Sequence, residues 1–482
     1  MTTQIPHYPL QTEKMQASLT SINITAPYDE RIIATANVAN AESIESALET
    51  AINTYKRKSG WLSKSQRIAI LNTTATLMEK DIEYLSVEAA REGGKPYMDS
   101  KVEVIRAIDS IRTCAEVLKN NAGKEIPMRV NPASENHLAV TTHEPIGVVV
   151  AVSAFNHPLN LIAHQVGPAV AAGCPVIIKP TQDTPLSCFR LIDYLYQAGL
   201  PKAWCQSMVI TDHSLATRLV TDPRVSFFSF IGSAKVGWML NAKLAPGTRS
   251  ALEHGGVAPV IIEADADIKS TIPAIAKGGY YHAGQVCVSV QRVYCHDSIV
   301  ENVTKRLKEI AEALVVGDPT EKTTEVGPLI RPREVERAHA WVSEAIAEGA
   351  TLITGGKMKD HNCYAPTILL NPSADSKVST MEVFAPVICV YSYSNIDDAI
   401  ASANALPFSF QAAVFTKNID TAMKAYKQLN ASAVMVNEHT AFRVDWMPFA
   451  GLKQSGLGVG GIPHTFHDMQ VEKMLVIKTA EL

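Results

Sequence analysis

This chain of 482 residues has no two cysteines in a C-x-x-C spacing and no excess of positive charge. The eight cysteines form no C-x-x-C pair, and this low count favours reduced thiols in the cytoplasm over a disulfide scaffold. Lys and Arg number 44 against 48 Asp and Glu, and the net charge of −4 argues against a nucleic-acid partner. No basic segment followed by an apolar one opens the chain, so we expect no signal peptide.

Charge is absent altogether from Pro145 to Ile178, a stretch long enough to cross a bilayer, which takes about 20 apolar residues. The stretch nevertheless carries four prolines and several Asn, His and Gln side chains, and prolines at this density interrupt a helix. We therefore predict a buried α/β core here and no membrane association. The apolar fraction of 46% is ample for such a core, and the length predicts two to three domains.

Strands and helices alternate from that uncharged stretch onward. Before it, apolar residues spaced three and four apart predict helices at Glu42–Lys56, Ser65–Ala90 and Ser100–Asn120. Strands are then predicted at Ile146–Val152, Pro175–Lys179, Gln206–Ile210 and Val225–Phe230, with helices at Leu159–Ala172 and Pro185–Ala198. This succession is typical of βαβ units and predicts an α/β fold with a parallel sheet, and a second alternation after Glu253 predicts a second α/β domain.

One glycine-rich segment, Gly456–Gly461, matches the G-x-G-x-x-G pattern of dinucleotide-binding turns. It follows a polar turn rather than a strand and runs into Pro463, so we predict a flexible glycine loop without a cofactor role. The histidines and acidic residues show no metal-ligand spacing, so no metal is expected.

Two residues indicate covalent chemistry. Cys287 follows a small, glycine-containing turn, where the backbone can approach a ligand and free N–H groups can bind an oxyanion. A buried apolar cysteine is the ordinary alternative. Glu253 precedes His254 and two glycines, and a carboxylate there could activate water against a thioester. A surface residue or a helix cap is the alternative for Glu253.

Polar groups follow three of the predicted strands. Asn156 comes after the first strand, Lys179 ends the second, and Gly232-Ser233 follows a later strand and starts a helix. The carboxyl ends of parallel strands share one edge, which is the usual ligand site of open α/β folds, so we expect these groups in one crevice. A turn-forming Asn, a solvated Lys and a serine cap are the separate alternatives.

Taken together, these residues resemble those of the aldehyde dehydrogenase superfamily. The resemblance implies an NAD(P)-dependent, non-phosphorylating enzyme. The resemblance runs from Trp61 through Phe449 and keeps the family's order and separations. It rests on Leu252–Gly256, Gly284-Gln285-x-Cys287, Phe155–Pro158, Lys179-Pro180, Gly232-Ser233 and Glu382-Val-Phe384-x-Pro386. The ending Phe442–Phe449 is most similar to a branch near the moss-type succinate-semialdehyde and lactaldehyde dehydrogenases.

The resemblance implies an aldehyde dehydrogenase-like fold with a Rossmann-type, parallel-sheet cofactor domain, an α/β catalytic domain and a small β oligomerisation arm. The NAD(P)-binding domain would take residues 1–125 and 143–253, and the catalytic domain residues 254–445. Residues 126–142 and 446–482 would be oligomerisation or bridging segments. A homodimer or homotetramer is implied, with an arm around Ile126–Thr142 and the segment Glu472–Thr479 forming the intersubunit sheet.

The resemblance also implies roles for individual residues. Cys287 would attack an aldehyde as a thiolate, while the amide of Asn156 and the backbone N–H of Cys287 stabilise the oxyanion, and Glu253 would activate water to release the acid. NAD or NADP would be held by Phe155, Lys179, Gln182, Gly232, Ser233, Glu382 and Phe384.

The substrate end is the part in which the chain differs from enzymes for bulky apolar aldehydes. Arg106, His157, Arg443 and Phe449 fall at positions of the substrate tunnel, and arginine is suited to clamping a carboxylate or phosphate. We therefore expect a short aldehyde with an anionic tail, such as succinate semialdehyde. The alternative is a pair of structural salt bridges, from Arg106 to Glu103 and from Arg443 to Asp445, which lies two residues further on.

Some positions depart from the family pattern. His254 stands where leucine is usual, Val257 where lysine or asparagine is frequent, and Ala385 and Ala450 replace common glycines. Gln182 stands where NAD-preferring members often carry glutamate, and a neutral side chain repels a 2′-phosphate less, so use of both NAD and NADP is expected.

Other functions remain open at this level. A lactaldehyde or broad-range aldehyde dehydrogenase is the nearest alternative, and a CoA-acylating enzyme is disfavoured because such relatives generally lack the base at Glu253. A non-catalytic protein would not need to keep Cys287 and Glu253. A cofactor-free cysteine hydrolase would leave Lys179 and Glu382 without a role.

Overall fold

The computed structural model describes residues 5–14 and 20–482. The opening stretch considered for a signal peptide lies partly outside these residues, at positions 1–4 and 15–16. In the described residues the strands form five sheets, two of them large and mainly parallel and the others of two or three strands. The prediction of an α/β fold is therefore confirmed.

The first large sheet has six strands and carries the strand ends singled out above. Its spatial order is Gly456–Leu457, Arg249–Glu253, Val225–Ile231, Val148–Val152, Val176–Lys179 and Cys205–Ser207. The last five strands are parallel, and only Gly456–Leu457 is antiparallel to its neighbour. Among the strands of this sheet, Val148–Val152 comes first along the chain but lies in the middle of the sheet, so the order of the strands reverses there. Such a reversal opens a crevice at the carboxyl ends of the strands.

Helices cover both faces of this sheet. They are Ala41–Lys56, Lys64–Lys80, Ile82–Gly93, Tyr97–Lys119, Asn160–Ala172, Leu186–Gln197, His213–Thr221 and Ala234–Asn241. Every residue of Asn160–Ala172 is buried, which explains why this stretch carries no charge, and Pro168 is accommodated inside the helix. The prediction of one helix over Ser65–Ala90 is wrong, because Asp81 at φ −111° and ψ 20° ends one helix and precedes the next.

The second large sheet has seven strands and forms the core of the other half. Its order is Thr351–Thr354, Thr367–Leu370, Val387–Tyr393, Val290–His296, Ala258–Ile262, Gln411–Phe415 and Ala433–Val436. All pairs are parallel except the one that Thr351–Thr354 makes. Its helices are Ile268–Tyr280, Val300–Ala313, Pro332–Ala347, Lys377–Thr380, Ile396–Asn404 and Ile419–Gln428.

A three-stranded sheet, the arm sheet, is formed by Glu125–Ile126, His137–Pro145 and Gln470–Lys478. The long strand His137–Pro145 pairs antiparallel with Gln470–Lys478 within one chain, and Gln470–Lys478 is left as an edge. The consecutive side chains of Met474, Leu475, Val476 and Ile477 are exposed there. The arm and the C-terminal segment named from the sequence thus pair with each other.

The smaller elements complete the chain. His7–Tyr8, Ser21–Thr25 and Ile32–Asn37 form a three-stranded sheet, and Phe408–Ser409 pairs with Leu452–Lys453. Helix Ile462–Asp468 precedes the last strand. Across residues 5–14 and 20–482, no helix has the length and apolar character needed to span a membrane.

Candidate active site

A cavity of about 570 Å³ is lined by residues that follow strands of both large sheets. Nearly all of the site residues predicted from the sequence line it: Phe155, Asn156, His157, Lys179, Gly232, Ser233, Glu253, Cys287, Glu382, Phe384, Arg106, Arg443 and Phe449. Gln182 does not, and its side chain is exposed. Phe155 and Phe384 meet edge to face across the cavity, with ring centroids 5.9 Å apart.

The segment before Cys287 has an unusual backbone. His282 and Ala283 have φ of 47° and 53°, the left-handed region that side chains disfavour, and Gly284 follows at 71°. The buried side chain of Gln285 holds this turn, because its Nε2 donates to Pro328 O at 3.2 Å and its Oε1 accepts from Ile330 N at 3.0 Å. This turn places Cys287 in the wall of the cavity.

Cys287 differs from the other cysteines in exposure. All eight are unpaired, but Cys287 alone is partly exposed and the other seven are buried. The buried side chain of Asn156 lies close to Cys287. Its Nδ2–H donates to the carbonyl oxygen of Gln285 at 2.9 Å, two residues before the thiol. One of the two N–H groups of that amide is used in this bond, so the other is available to an oxyanion beside Cys287.

Glu253 ends the strand Arg249–Glu253, and the turn after it is tied to the cysteine by a hydrogen bond from Gly256 N to Cys287 O of 3.1 Å. The glycine-rich segment predicted as a flexible loop packs here instead. Gly456–Leu457 pairs with the strand of Glu253, and a Cβ on Gly460 would lie 2.1 Å from Glu253 Oε1. The prediction fails because glycine was needed for close packing rather than for mobility.

Burial controls the ionisation of both reacting groups. It raises the pKa of the Cys287 thiol to about 12, with Arg443 opposing the rise and the carboxylates of Glu382 and Glu253 adding to it. The resting thiol is therefore protonated at neutral pH, so the thiolate expected from the sequence has to be produced during the reaction. Burial also raises the pKa of Glu253, again opposed by Arg443, and a carboxylate with a raised pKa is a better proton acceptor.

The other end of the cavity has groups suited to a dinucleotide. Ser233 precedes helix Ala234–Asn241 without a side-chain cap, which leaves N–H groups at the helix start. Burial lowers the pKa of Lys179 to about 8. Glu382 Oε1 is buried without a hydrogen-bond partner, and burial raises the pKa of this carboxyl to about 8. A buried orphaned oxygen and an uncapped helix start fit the hydroxyls and pyrophosphate of NAD or NADP.

His254, which replaces the usual leucine, is held against the same turn. It is 1% exposed, and its Nδ1–H donates to Gly232 O at 2.8 Å. The helix approaches the ring so closely that a Cβ on Gly237 would lie 2.0 Å from His254 Cε1. Trp238 also packs against it, with ring centroids 5.9 Å apart. His254 thus links the strand of Glu253 to the predicted pyrophosphate turn.

The end of the cavity that is predicted to bind the substrate, named here the substrate end, is organised around Asp445, which the sequence indicated only as a partner of Arg443. Arg106 donates to both carboxylate oxygens, at 3.0 and 2.7 Å, and His164 and Asn160 donate to Oδ1 at 2.7 and 3.0 Å. Although burial alone would raise it, the pKa of Asp445 is held well below its usual range by His164 and Arg106. The suggested salt bridge from Arg106 to Glu103 is absent from the described residues, since Glu103 pairs with Lys95.

Arg443 has no carboxylate partner within ion-pair distance in the described part of the chain. Its guanidinium lies over the ring of Phe449, with Cζ 3.6 Å from the ring centroid, and its Nη2 donates to His164 Nδ1 at 3.4 Å. Its Nε is buried and makes no hydrogen bond. The suggested salt bridge from Arg443 to Asp445 does not form, so this cation faces the cavity without an ion-pair contact, although it interacts with the charge of Glu253 at longer range.

Other lining residues were missed because nothing local in the sequence indicates them. Asp183 forms an ion pair with Arg331 from the other half of the chain, and Glu334 contacts Arg333 and Arg337. The positions of Gly460 against Glu253 and of Asp445 against Arg106 depend on contacts across hundreds of residues. The only local signal was the short run from Arg443 to Asp445. No group of three or more His, Cys, Asp or Glu in the described ranges could hold a metal ion.

A doubly wound sheet with a crevice at its reversal point is typical of dinucleotide-dependent enzymes, and a cysteine in the same cavity is typical of covalent catalysis. The model of the aldehyde dehydrogenase family matches residues 14–475, so the chain belongs to that family. The predicted class of enzyme, an NAD(P)-dependent aldehyde dehydrogenase, is confirmed.

Individual relatives match nearly the whole chain. The 3-sulfolactaldehyde dehydrogenase of Priestia aryabhattai is 35% identical over 98% of this chain and 99% of its own. The lactaldehyde dehydrogenase of Methanocaldococcus jannaschii is 33% identical over 95% of this chain and 97% of its own.

Solved structures agree. Aldehyde dehydrogenase 21 from Physcomitrella patens, in complex with the reaction product succinate, superimposes with a TM-score of 0.95 at 30% identity, over 99% of both chains. Glyceraldehyde-3-phosphate dehydrogenase GapN from M. jannaschii, complexed with NADP, gives a TM-score of 0.91 at 32% identity, over 96% of this chain and 100% of its own. The branch and the NAD(P) cofactor expected from the sequence are confirmed at this level.

Proposed function

We propose that this enzyme oxidises a short aldehyde with an anionic tail, such as succinate semialdehyde, to the carboxylic acid with NAD or NADP. The single observation that carries the proposal is one cavity in which Cys287 and Glu253 lie with the guanidinium of Arg443, which makes no ion-pair contact. Arg443 is half-buried and its Nε is buried without a hydrogen-bond partner, which favours binding of an anion because a charge held partly out of water without a partner is costly.

Cys287 forms the covalent link in this proposal. Its sulfur adds to the aldehyde carbon, and the thiol proton leaves as the C–S bond forms, with Glu253 as the carboxylate able to take it. The carbonyl oxygen becomes an oxyanion that the free N–H of Asn156 and the backbone N–H of Cys287 stabilise. The hydrogen bond from Asn156 to Gln285 O fixes the amide for that task.

Oxidation and release follow on the same sulfur. A bound nicotinamide dinucleotide supplies the acceptor for two electrons and a proton equivalent from the thiohemiacetal carbon. Glu253 releases to solvent the proton that it took from the thiol, which is the one proton the overall oxidation yields. It then removes a proton from water, which attacks the thioester carbon and frees the acid, and the return of that proton to the sulfur restores the thiol of Cys287. The packing of Gly460 against Glu253 limits how far this carboxylate can move.

The cofactor would be held at the opposite end of the cavity. The turn Gly232-Ser233 would present the N–H groups of Ser233 and of the helix start to the pyrophosphate, because the N–H of Gly232 itself donates to Glu253 O at 3.0 Å. Lys179 would bind the adenine-side ribose and Glu382 the nicotinamide ribose, with Phe384 and Phe155 beside it. Gln182 is exposed outside the cavity, and its proposed part in accepting either NAD or NADP stays a prediction. A preference for NAD beyond about a hundredfold in kcat/KM, nearly 3 kcal/mol, would contradict it.

The exposed apolar run Met474–Ile477 on the edge of the arm sheet supports the proposal that the enzyme is a homodimer or homotetramer. Light scattering of the purified chain measures this directly, and a monomer at micromolar concentration would contradict it. The eight unpaired cysteines support a cytoplasmic location.

Replacing Arg443 tests the proposed substrate class. For Arg443→Met we expect kcat/KM with succinate semialdehyde to fall about a hundredfold, because a buried charge pair with the tail is lost, and kcat/KM with butanal to change less than about threefold. Arg306→Met, which removes an exposed arginine on a distant helix, is the matched control. Equal losses on both aldehydes would contradict the anionic tail.

A further inference from the structure

We propose that the substrate's tail is a monoanion, a carboxylate or a sulfonate, and that the site discriminates against a phosphomonoester. The inference rests on the proposed function, because it presumes that an anionic tail reaches Arg443. It goes beyond that function by fixing how many charges the tail carries. The charged groups that face the substrate end of the cavity set this number.

Arg106 contributes no free charge to that end. Both oxygens of Asp445 are engaged by its guanidinium in a fork-to-fork contact, a geometry that arginine and carboxylate adopt when they are tightly paired. Asp445 is further fixed by His164 and Asn160, so it cannot turn away from Arg106 without losing two more hydrogen bonds. The pair is electrically neutral as a unit.

The two histidines are also neutral. Burial lowers the pKa of His164 to about 4, and it lowers that of His157 well below the usual value. The hydrogen bonds agree with a neutral His164, since Nε2–H donates to Asp445 and the bare Nδ1 accepts from Arg443. His157 Nε2 lies 3.1 Å from the hydroxyl of Tyr281, which needs no charge on either group.

The remaining charged groups near this end cancel or repel an anion. Lys95 and Glu103, 1% and 0% exposed, form a buried ion pair with each other. Glu253 is a carboxylate that faces the cavity. Six lysine and arginine residues line the cavity as a whole: Arg106, Lys179, Arg331, Arg333, Arg337 and Arg443. Arg331 pairs with Asp183, and Arg333 and Arg337 share Glu334. Lys179 and Arg337 also interact with Asp183 and Glu382, respectively, so these four cations belong to the cofactor end.

Arg443 is therefore the one cation that the substrate end leaves unpaired among the described residues. One guanidinium matches one negative charge. A second negative charge on the tail would be removed from water without a partner, and it would lie in the same cavity as Glu253. The difference between one and two charges is what the experiment measures.

The wild-type enzyme with saturating NAD or NADP is assayed with four aldehydes. Succinate semialdehyde and 3-sulfopropanal carry one charge, glycolaldehyde phosphate carries two above its second pKa of about 6, and butanal carries none. At about pH 8 we expect kcat/KM for the carboxylate and the sulfonate to exceed that for the phosphate at least tenfold. Succinate semialdehyde and 3-sulfopropanal distinguish the two kinds of monoanion.

A change of pH provides an internal control. Between about pH 8 and pH 6 the phosphate tail becomes about half monoanionic, whereas the sulfonate keeps one charge. With a tenfold preference for one charge, the ratio of kcat/KM for phosphate to that for sulfonate should therefore rise about fivefold or more, and ionisations of the enzyme that affect both substrates cancel in this ratio. A ratio that stays constant would overturn the inference.

Asp445→Asn tests the neutralisation of Arg106. Asparagine keeps the shape but removes the charge, so the site gains a second uncompensated cation, and the phosphate-to-carboxylate ratio of kcat/KM should rise at least tenfold. Butanal is the reference for any general loss. An equal change with all substrates would overturn the inference, and if the variant does not fold, the wild-type ratios decide it.

The failures of the two proposals are distinguishable. If wild-type enzyme uses butanal as efficiently as every anionic aldehyde, the proposed function fails. If it prefers anionic aldehydes to butanal but uses the phosphate as well as the carboxylate at about pH 8, only the monoanion inference fails.

Discussion

The two ends of the cavity are built in different ways. The cofactor end consists mainly of backbone at strand ends and a helix start, around Lys179, Gly232 and Ser233. The substrate end consists of side chains tied into a network around Asp445, which joins Arg106 on a helix to a C-terminal loop. The first end is determined by chain topology and the second by a few long-range side-chain contacts.

Because of this difference, single substitutions can change the charge of the substrate end more easily than they can change the cofactor end. A strand-end crevice binds the shared cofactor through groups that every member of such a fold can offer, because it needs few particular side chains. The substrate end can change its charge by a single substitution without disturbing a strand. Cys287 and Glu253 lie between the two ends, on turns joined by the bond from Gly256 to Cys287.

Removing the nucleophile should give the largest effect and separate the two ends. We expect Cys287→Ala to lower kcat about 10⁴-fold or more, because no other group can form the thioester. The dissociation constant of NAD, measured by tryptophan fluorescence, should stay within about twofold, since the sulfur is not part of the proposed cofactor contacts. Cys295→Ala, which removes a buried cysteine outside the cavity, is the matched control.

If Cys287→Ala retained wild-type kcat, covalent catalysis at this position would be wrong. If it lost NAD binding as well, the two ends would not be separable in the way described above.

Removing the base should give the next largest effect. We expect Glu253→Gln to lower kcat about 10²- to 10⁴-fold, because water is no longer activated against the thioester. In the wild type, kcat should fall as the pH is lowered through the pKa of Glu253, which burial holds above its usual 4.5, since only the carboxylate can accept a proton. The pH profile of Glu253→Gln should lack this limb. A profile identical to the wild type would contradict the role.

Changing His254 should give the smallest effect, confined to the cofactor end. His254→Leu removes the donor to Gly232 O, and the dissociation constant of NAD should rise about five- to tenfold, the worth of one neutral hydrogen bond. His254→Asn places an N–H near the position of Nδ1 and should restore binding to within about twofold. If the role of His254 were only steric, His254→Asn would bind NAD as weakly as His254→Leu. The KM for the aldehyde should not change in either variant.

The sequence allowed the fold and the cofactor end to be predicted because their signals are local. Strand Val176–Lys179 with Lys179 at its end, and Gly232-Ser233 before a helix, are visible within a few residues. The break at Asp81 was missed because the apolar spacing continues through it, and only the backbone angles at that residue separate the two helices.

The substrate end could be predicted only in part. Arg106 and Arg443 both line the cavity as expected, but their partners could not be inferred from the chain, because Arg106 and Asp445 lie 339 residues apart. Gly460 was predicted to belong to a flexible loop because a glycine packed against Glu253 and a glycine in a mobile turn look alike in sequence. Gln182 shows the converse, a residue at the expected position that does not reach the cavity.

Because only one sulfur is exposed, thiol labelling can measure the concentration of active sites. Seven thiols are shielded by the interior, so Cys287 is the thiol that an electrophilic dye can reach in the native enzyme, and its raised pKa makes the labelling slow at neutral pH. One equivalent of label per chain would titrate the competent sites in a preparation, with no need to engineer away background thiols. Oxidation by peroxide also requires the thiolate, so the same raised pKa protects this accessible sulfur at neutral pH.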